Sequence, residues 1–592
     1  MQGGKAPGID GLPPEFYKTF WEELKTDIMD VFTESFGDCS LPQSCRRAVL
    51  TLLPKKGDLM DITNWRPVSL PCSDYKLLSK VLSSRLKKVM DPVIHRTQTH
   101  CVPGRSIVDN VSLVRYLLTV SGSLGLDAGL VSLDQEKAFD RVEHHYLWKV
   151  LGLSPGFIAK IKVMYENIES VLKINRGLCE PFKVTRGIRQ GCSMLGMLYA
   201  LSIEPMLHNV RSSINGLVLP GFDTPFTVSA YADDIIAFTK GQNDVDSLGH
   251  IVEAFQKISE AKVNWAKSDA LAVGKWAGGL PQLPGGLAWQ RGGLKYLGVY
   301  LGDQGTTAMN WEGVVGKVEG KLNKWRWLLP HMSYRGRVLI INNLVASSLW
   351  HKLKCMEPPA GLLKSIQSII LKFFWDDLHW TPQCVLYLPK EEGGQGLVDL
   401  VSRTAAFILQ FVQRFLFGTD DVVWRPVAST ILRGVAGLGL DASLFLVDCG
   451  FVPLCKLPHF YQGLFTAWRL FKWSRLGPAA SLFWLLEEPL VWGARLDLHD
   501  GSRPGLTDRL TGAGVKKLGG IVEAAGPCLQ NTEAVASLLG LRSARHTRTI
   551  LNEWNNRLDS EEKEMLQDYS DGTEAPDSGD PFPDIFFFST SC

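Results

Sequence analysis

Two adjacent acids lie between apolar, β-forming residues in the first half of the chain. Asp233 and Asp234 end the tetrapeptide YADD inside residues 226–239, FTVSAYADDIIAFT. This pattern predicts a strand, a tight turn and a second strand, with the acids at the tip. Two acids in apolar surroundings are costly unless a cation lies on them, and hard oxygen ligands suit Mg²⁺. Because Asp is also a common turn residue, the tetrapeptide alone is equally typical of a plain acidic hairpin.

A third acid follows a separate apolar segment. Residues 128–134, AGLVSLD, predict a strand that delivers Asp134 at its C-terminal end, where the chain turns into a helix. Asp134, Asp233 and Asp234 together would hold two Mg²⁺ ions roughly 3.5–4 Å apart, with Mn²⁺ as the alternative. One ion would activate a primer 3′-hydroxyl and the other would orient a triphosphate and stabilise the leaving pyrophosphate, while the protein supplies positioning and charge.

The segments that must position these acids alternate between strand and helix patterns. Strands are predicted at 46–53, 64–70, 128–134 and 294–301, with the acidic hairpin between the last two. Helices are predicted across 16–32, 74–90, 192–210, 251–258 and 315–353. Residues 273–293 carry Gly-Gly pairs and prolines and predict a loop. The chain is therefore predicted to be α+β, with a mostly helical region after about residue 303.

Charge is distributed unevenly although the net charge is only +2. Residues 41–105 hold 12 Lys/Arg against 4 Asp/Glu, and residues 315–354 hold 8 against 1. Two basic regions on either side of the acids would suit a cleft that grips a phosphate backbone, although solvated helix faces are the commoner cause. Residues 556–592 hold 2 Lys/Arg against 10 Asp/Glu, and we expect this acidic tail to be disordered.

Composition narrows the class of protein. A chain of 592 residues is too long for one ordinary core, so we expect two to four domains. It has no uninterrupted apolar run long enough for a bilayer and no apolar signal core at the N-terminus, so no membrane partner is expected. The 12 cysteines form no Cys-x-x-Cys pair, which indicates reduced thiols and an intracellular location, in cytoplasm and nucleus.

Seven sequence blocks occur in the order found in one family. They are Asn64–Leu70 (NWRPVSL), Val102–Ile107 (VPGRSI), Asp134–Asp140 (DQEKAFD), Arg186–Cys192 (RGIRQGC), Tyr231–Asp234 (YADD), Lys267–Ser268 and Tyr296–Gly298 (YLG). Together they resemble the reverse transcriptase of a LINE-type non-LTR retrotransposon, over about residues 1–302. Residues 350–415 resemble the family's segment after the thumb. One tetrapeptide is a weak signal, but seven blocks in order are a strong one.

The resemblance implies a right-hand polymerase of fingers, palm and thumb. We expect an N-terminal extension of the fingers at 1–40, fingers and palm at 41–302, thumb and post-thumb helices at 303–415, a helical region of unknown role at 416–555, and the acidic tail at 556–592. The implied activity is RNA-directed DNA polymerisation. The implied partners are an RNA template, a DNA primer or target, and deoxynucleoside triphosphates. The oligomeric state is left open.

The resemblance also implies roles for residues that bind the incoming nucleotide. Phe139 would lie under its sugar, where a ring excludes a 2′-hydroxyl, although simple core packing is the default for such a residue. Arg66 matches a fingers arginine whose fork of donors suits the triphosphate. Lys55 and Lys56 would help there or grip the template backbone.

Further blocks imply contacts to the template–primer and to the leaving group. Gln190 and Gly191 would contact the duplex near the new base pair, and Gly191 is also an ordinary residue for the start of a helix. Lys267 would protonate the pyrophosphate, with Lys262 as a neighbouring candidate. Tyr296–Gly298 matches the primer grip, and the Trp- and Lys-rich stretch from Val315 matches the thumb, where buried core tryptophans are the alternative.

The chain departs from the family pattern in three places. The expected upstream endonuclease does not precede Met1, so we expect a fragment of an ORF2-like polyprotein that does not encode target nicking. Residues 193–196, SMLG, replace the usual proline and serine, and no Cys/His knuckle appears near the C-terminus. A catalytically decayed, nucleic-acid-binding remnant is therefore the alternative to an active enzyme. An RNA-dependent RNA polymerase is a third reading, against which Phe139 argues.

Overall fold

The computed structural model divides the chain into two compact units, Met1–Thr307 and Ala308–Cys592. The structure describes residues 1–592 except 2, 56, 176, 379, 419–421, 436–437, 448–449, 451, 453, 471–480, 491–508, 511, 542–543 and 571–592. The first unit contains two five-stranded sheets and a short hairpin, and strands are sparse in the described part of the second, so the predicted α+β class is confirmed.

The sheet that carries the acids, called here the palm sheet, has the strand order β10-β9-β3-β8-β7. Its strands are β3 (Ala128–Leu133), β7 (Val228–Tyr231), β8 (Asp234–Thr239), β9 (Asp269–Val273) and β10 (Trp289–Gln290). The strand β3 pairs antiparallel with both β8 and β9 and is buried along nearly its whole length. Burial on both faces explains why its sequence is a continuous apolar run rather than an alternating one.

A second sheet, called here the fingers sheet, contains β1 (Arg47–Pro54), β2 (Trp65–Pro71), β4 (Glu169–Ile174), β5 (Gly177–Leu178) and β6 (Phe182–Lys183). The strands β1 and β2 form an antiparallel hairpin that matches the predicted strands within a residue or two. The partner of β1 on its other side is β4, which runs parallel to it and lies more than 100 residues later. That long-range pairing has no local signal in the sequence.

Helices surround the sheets of the first unit. They are α1 (Pro14–Thr19), α2 (Trp21–Gly37), α3 (Gln43–Arg46), α4 (Ser73–Leu86), α5 (Met90–Val93), α6 (Ile107–Leu124), α7 (Ala138–Arg141), α8 (His144–Val150), α9 (Pro155–Tyr165), α10 (Leu195–Ser213) and α11 (Gln242–Ser259). The helix α10 is the largest contributor to the core, with ten buried residues that include Tyr199 and Met206. It begins three residues later than the predicted 192–210 helix.

A hairpin of β11 (Gly293–Tyr296) and β12 (Val299–Gly302) follows the palm sheet. Leu297 and Gly298 make its two-residue turn, both with positive φ. The preceding segment, predicted as a loop, contains a single 3₁₀ turn at Pro284–Gly286 and the short β10. The hairpin coincides with the predicted strand or hairpin at 294–301.

The second unit is helical where the structure describes it. After α12 (Gln304–Ala308), its helices are α13 (Val314–Arg326), α14 (Tyr334–Ile340), α15 (Trp350–Cys355), α16 (Leu362–Trp375), α17 (Gln383–Tyr387), α18 (Leu400–Phe417), α19 (Trp424–Arg433), α20 (His459–Leu470), α21 (Leu482–Leu486), α22 (Leu518–Ala525), α23 (Thr532–Leu538), α24 (Ala544–Arg557) and α25 (Ser560–Ser570). The unit boundary falls a few residues after the predicted boundary at 302, and the finer domain limits stay predictions.

One described helix, α18, is long and apolar enough to cross a membrane by length and composition alone, with a mean hydropathy of 1.2. One face of it, including Leu400, Ile408, Val412 and Phe415, is buried. That face packs in a helical cluster with α15, α16 and α20, as the core helix of a globular unit does.

The predicted disorder of the acidic tail is wrong for its first part. The helix α25 covers 560–570, and residues 571–592 lie outside the described residues. Asp559 and Glu562 form a reciprocal pair in which each carboxylate accepts the other residue's backbone N–H, and Leu566 is fully buried. A capping box and an apolar anchor therefore offset the high acidity, since acids in the first turn also favour the helix dipole.

Candidate active site

The strand pairing of the palm sheet brings the three predicted acids to one edge. Asp134 directly follows Leu133, which pairs with Ile235, so Asp134 lies beside Asp234. Asp234 in turn pairs with Tyr231 across the two-residue turn formed by Ala232 and Asp233. The arrangement predicted from the apolar strands therefore follows directly from the observed register.

The turn that presents Asp233 requires an uncommon backbone conformation. Ala232 has φ of 54°, which is costly for a residue with a Cβ. Its N–H donates to Oε1 of Gln98 at 3.2 Å, and residues 97–99 exchange backbone hydrogen bonds with Ala230. The fully buried Gln98 thus clamps the turn from outside the sheet. No pattern in the sequence singled it out.

Electrostatics at this edge disfavour three negative charges. Partial burial, followed by the charges of Asp233 and Asp134, raises the pKa of Asp234 to about 6. Burial also raises the pKa of Asp233. For Asp134, burial and Asp233 raise the pKa, whereas the nearby Lys267 ammonium opposes the shift. A cation at this edge would reverse these shifts, because an opposite charge favours the ionised carboxylate.

The backbone of Asp134 is fixed by the segment that carries Lys267. The N–H of Asp134 donates to Oγ of Ser268 at 3.1 Å, and its carbonyl accepts the N–H of Asn264 at 2.8 Å. Lys267 ends the 3₁₀ turn Trp265–Lys267 and is exposed. The structure therefore brings Lys267 to the acids. Ser268 belongs to the Lys267–Ser268 block, and its hydroxyl fixes the backbone of Asp134 by accepting this hydrogen bond. The sequence alone did not indicate that role.

Phe139 is half-buried and packs against aromatic rings. Its ring centroid is 4.4 Å from that of Tyr199 on α10 and 6.4 Å from that of His100. The His100 ring also packs edge-on at 4.9 Å against Tyr231, the first residue of the acidic tetrapeptide. One face of Phe139 is thus supported by packing, while the residue keeps some exposed surface.

Gln190 and Gly191 lie where the chain approaches α10. The amide of Gln190 donates to Oδ1 of Asp140 at 3.1 Å. Gly191 has φ of 84°, and a Cβ there would lie 2.9 Å from Cδ of Pro71 and 3.0 Å from the carbonyl oxygen of Ser69. Glycine is thus required for close approach of this turn to β2, which is a stronger constraint than a helix start.

The unusual segment 193–196 is held by contacts from other elements. The N–H of Ser193 donates to Oγ of Ser79 at 3.3 Å, and Oγ of Ser83 donates to the Ser193 carbonyl at 3.3 Å. A Cβ on Gly196 would lie 2.3 Å from Sγ of Cys101 and 2.6 Å from Nε2 of His100. The residues in place of proline and serine therefore fit their surroundings, and the helix start moves to Leu195.

The predicted fingers residues lie on the β1–β2 hairpin. Arg66 pairs with Leu53, and the N–H of Lys55 donates to the Asn64 carbonyl at 2.7 Å. Both Arg66 and Lys55 are exposed, and Lys56 lies outside the described residues. Among the contacts of described residues, none joins this hairpin to the three acids. The structure therefore leaves the side chains of Arg66 and Lys55 open to solvent.

The β11–β12 hairpin packs against the strand that leads into the acidic turn. The hydroxyl of the buried Tyr296 lies 3.3 Å from Oγ of Ser229 on β7. Asn110 of α6 donates to both Oγ of Ser229 and the carbonyl of Ala230. The block that matched a primer grip is therefore anchored to the base of the acidic hairpin through a buried polar network.

The chain is similar in sequence to a known protein family and to proteins of transposable elements. Residues 53–301 match the family described as reverse transcriptase (RNA-dependent DNA polymerase). The chain is 39% identical over 560 residues to the transposon TX1 uncharacterized 149 kDa protein of Xenopus laevis, across 93% of this chain and 43% of that protein. It is 23% identical to the retrovirus-related Pol polyprotein from the type-2 retrotransposable element R2DM of Drosophila melanogaster, across 72% of this chain and 41% of that protein.

A solved structure of telomerase from Candida tropicalis, in complex with the TWJ fragment of telomeric RNA, is similar in fold over 69% of this chain and 68% of the telomerase chain. The TM-score is 0.37 and the sequence identity is 13%. This chain spans less than half of the length of the two curated relatives named above.

Proposed function

We propose that this chain, which belongs to the LINE-type reverse transcriptases of non-LTR retrotransposons through its domain at 53–301, extends a DNA 3′-end by RNA-templated addition of deoxynucleotides. The observation that carries the proposal is the strand register that sets Asp134 beside Asp233 and Asp234. Three neighbouring carboxylates whose pKa values are all raised, chiefly by burial, are a donor set that a divalent cation stabilises.

Two Mg²⁺ ions, or Mn²⁺ in their place, would lower the pKa of the primer 3′-hydroxyl and neutralise charge on the triphosphate. Asp134, Asp233 and Asp234 would hold them, and the hydrogen bonds that the N–H groups of Asp134 and Ala232 donate to Ser268 and Gln98 fix the backbone there. Preorganised ligands of this kind lower the reorganisation needed when substrate binds.

Lys267 is proposed as the proton donor to the leaving pyrophosphate. Its ammonium interacts with Asp134 and its side chain is open to solvent, which supports a role beside the three acids. Phe139 is proposed to select deoxynucleotides. Its support by Tyr199 limits the freedom of the ring, so a 2′-hydroxyl placed against it would meet a fixed surface.

Arg66, with Lys55 and Lys56, is proposed to bind the triphosphate or the template backbone. Exposure of Arg66 and Lys55 on the hairpin supports this, because a guanidinium fork recognises phosphate oxygens in pairs. Gln190 and Gly191 are proposed to contact the template–primer. The RNA template and the DNA primer or target are the partners we propose.

The wider setting also belongs to the proposal. Because this chain covers less than half of the curated relatives named above, target-primed synthesis of a whole element is inferred by likeness to those relatives. An intracellular location, in cytoplasm and nucleus, rests on the cysteine pattern of the sequence.

The deciding experiment is primer extension by the full-length chain on an RNA template, with Asp134→Asn and Asp234→Asn as test variants. Asp223→Asn is the matched control, since Asp223 is an exposed acid on a loop before β7. We expect Mg²⁺-dependent extension by the wild type and the control, and loss of at least about 100-fold in the test variants, the scale for removing a group that stabilises transition-state charge. Extension that survives either test substitution would refute the metal triad.

The decayed remnant is the second candidate, motivated by the replaced residues 193–196. The contacts of Ser193 with Ser79 and Ser83 argue that this segment is accommodated. Salt-dependent binding of a primer–template without extension by any nucleotide would favour the remnant over the enzyme.

A further inference from the structure

A mixed group of thiols and carboxylates lies at the N-terminal end of α4, on residues distinct from the three acids. A carboxylate oxygen of Asp10, Sγ of Cys72 and a carboxylate oxygen of Asp74 all lie within 4.8 Å of one another. The Cys45 thiol interacts with the Asp74 carboxylate, which adds a second sulfur. These four residues are called here the Cys–Asp cluster.

We propose that the Cys–Asp cluster binds one divalent cation of the zinc class, through two thiolates and two carboxylates. Zinc takes four ligands in a tetrahedron, with Zn–S of about 2.3 Å and Zn–O of about 2.0–2.2 Å. Ligand atoms in such a site are roughly 3.3–3.8 Å apart. The ligand atoms of Asp10, Cys72 and Asp74, within 4.8 Å of one another, therefore need to close by about an ångström, and the Cys45 sulfur, which interacts with Asp74, must approach them.

The ligand atoms of the Cys–Asp cluster differ chemically from those of the three palm acids. Thiolate sulfur favours zinc-class ions, whereas the three palm acids offer only the hard oxygens that suit Mg²⁺. On binding, each thiol loses its proton to solvent as its sulfur bonds the metal. Two thiolates and two carboxylates around a divalent ion leave a net negative charge, and the Lys76 ammonium lies near Cys72 and Asp10 to offset it.

Contacts between distant segments show that the cluster is a built site. Both thiols are buried, with Cys45 at 1% and Cys72 at 0% exposure. A Cβ on Gly8 would lie 2.6 Å from Sγ of Cys72, so the N-terminal segment passes directly over that sulfur. Oγ of Ser73 donates to the Leu12 carbonyl at 2.7 Å and holds the same segment on α4.

An aromatic side chain also converges on the cluster. The buried Tyr17 interacts electrostatically with all four members. Polar groups from α1, α3, α4 and the N-terminal segment therefore face one small volume. Asp10 alone is exposed, which leaves a route for an ion to enter.

The position of the cluster gives the ion a mechanical role. Cys45 lies in α3, which leads directly into β1, and the Arg189 guanidinium donates to the carbonyls of Cys45 and Arg46. Arg189 immediately precedes Gln190. A metal at the cluster would thus join the N-terminal segment to the base of the fingers sheet and to the turn before α10.

The test uses the full-length chain, reduced and stripped with a chelator, and titrates it with Co²⁺ as a spectroscopic probe for Zn²⁺. We expect one equivalent of Co²⁺ to produce a sulfur-to-metal charge-transfer absorption that Zn²⁺ then abolishes. Cys72→Ser and Cys45→Ser should each weaken this absorption, and Cys179→Ser, at an exposed thiol elsewhere, should keep it. The palm acids contribute no such absorption because they contain no sulfur.

Asp10→Asn keeps the test decisive if the buried thiol variants fail to fold. Asp10 is exposed, so its variant should fold, and we expect its affinity for Zn²⁺ to fall at least about tenfold, as seen for residues that support metal ligands. Absence of the charge-transfer absorption in the wild type would overturn the proposal. An Asp10→Asn affinity equal to the wild type, or an absorption unchanged in both thiol variants, would also overturn it.

Discussion

Replacement of Gly191 by alanine tests whether the turn before α10 is fixed by contact with β2. Two costs apply at this position. An alanine at φ of 84° costs about 1–2 kcal/mol of backbone strain. Its Cβ would also lie 2.9 Å from Cδ of Pro71 and 3.0 Å from the Ser69 carbonyl oxygen, and overpacking of this kind costs about 1–3 kcal/mol. We therefore expect Gly191→Ala to lower the free energy of unfolding of the first unit by about 2–5 kcal/mol.

Gly221 provides a matched control in the same unit. Its φ is 83°, and no atom lies within 4 Å of a Cβ built there. Gly221→Ala should therefore cost only the backbone strain. The gain from a less flexible unfolded chain is common to both variants and cancels in their difference. The difference between the two variants, about 1–3 kcal/mol, isolates the contact with β2.

The assay is urea unfolding of the full-length chain, followed by amide hydrogen exchange in peptides from β2 and α10. A local probe is needed because a chain of two compact units does not unfold in one two-state step. Equal destabilisation by Gly191→Ala and Gly221→Ala would refute the reasoning, since it would mean that β2 yields without cost.

Three further predictions concern the active site. Because the pKa of Asp234 is about 6, protons should compete with metal below that pH, so the Mg²⁺ concentration for half-maximal primer extension should rise as pH falls through 6; a constant requirement across that pH range would contradict the assignment. Phe139→Ala should reduce discrimination against ribonucleotides by on the order of 10–200-fold, measured as the ratio of kcat/KM for deoxy- and ribonucleotides, and an unchanged ratio would return Phe139 to simple core packing. Ser268→Ala should leave the N–H of Asp134 without its partner and destabilise the first unit by about 1–3 kcal/mol in urea unfolding, with Ser268→Thr retaining more of that stability than alanine; equal losses in both variants would argue against the hydrogen bond.

Local sequence patterns predicted the elements around the acids because each element carries its own signal. The strand before Asp134 is a continuous apolar run, and the acidic tetrapeptide interrupts another, so both strands and their turn were visible without tertiary information. The start of α10 could not be predicted in this way, because Ser193 is held outside the helix by Ser79, which lies 114 residues earlier in the chain. Contacts of that range leave no mark in a local window.

Two other features were not predicted from the sequence, for different reasons. Gln98 clamps Ala232 from a segment more than 130 residues earlier, and nothing about an isolated glutamine suggests that task. The helix at 560–570 did have a local signal, since Asp559 and Glu562 have capping-box spacing, but the acidity of the surrounding tail outweighed it. Composition over a long window thus concealed a short, specific pattern.

The strand order of the palm sheet has a consequence for synthesis of the protein. The strand β3, which ends directly before Asp134, pairs in the described part of the chain with two strands that follow the acidic turn, β8 and β9. Roughly 100 residues separate Asp134 from Asp233, and a ribosome takes about 5–20 s to translate a segment of that length. Until then Asp134 ends a strand without partners in its own sheet. The emerging chain is therefore exposed to aggregation through β3 during that interval, and the catalytic edge assembles only after β8 has left the ribosome.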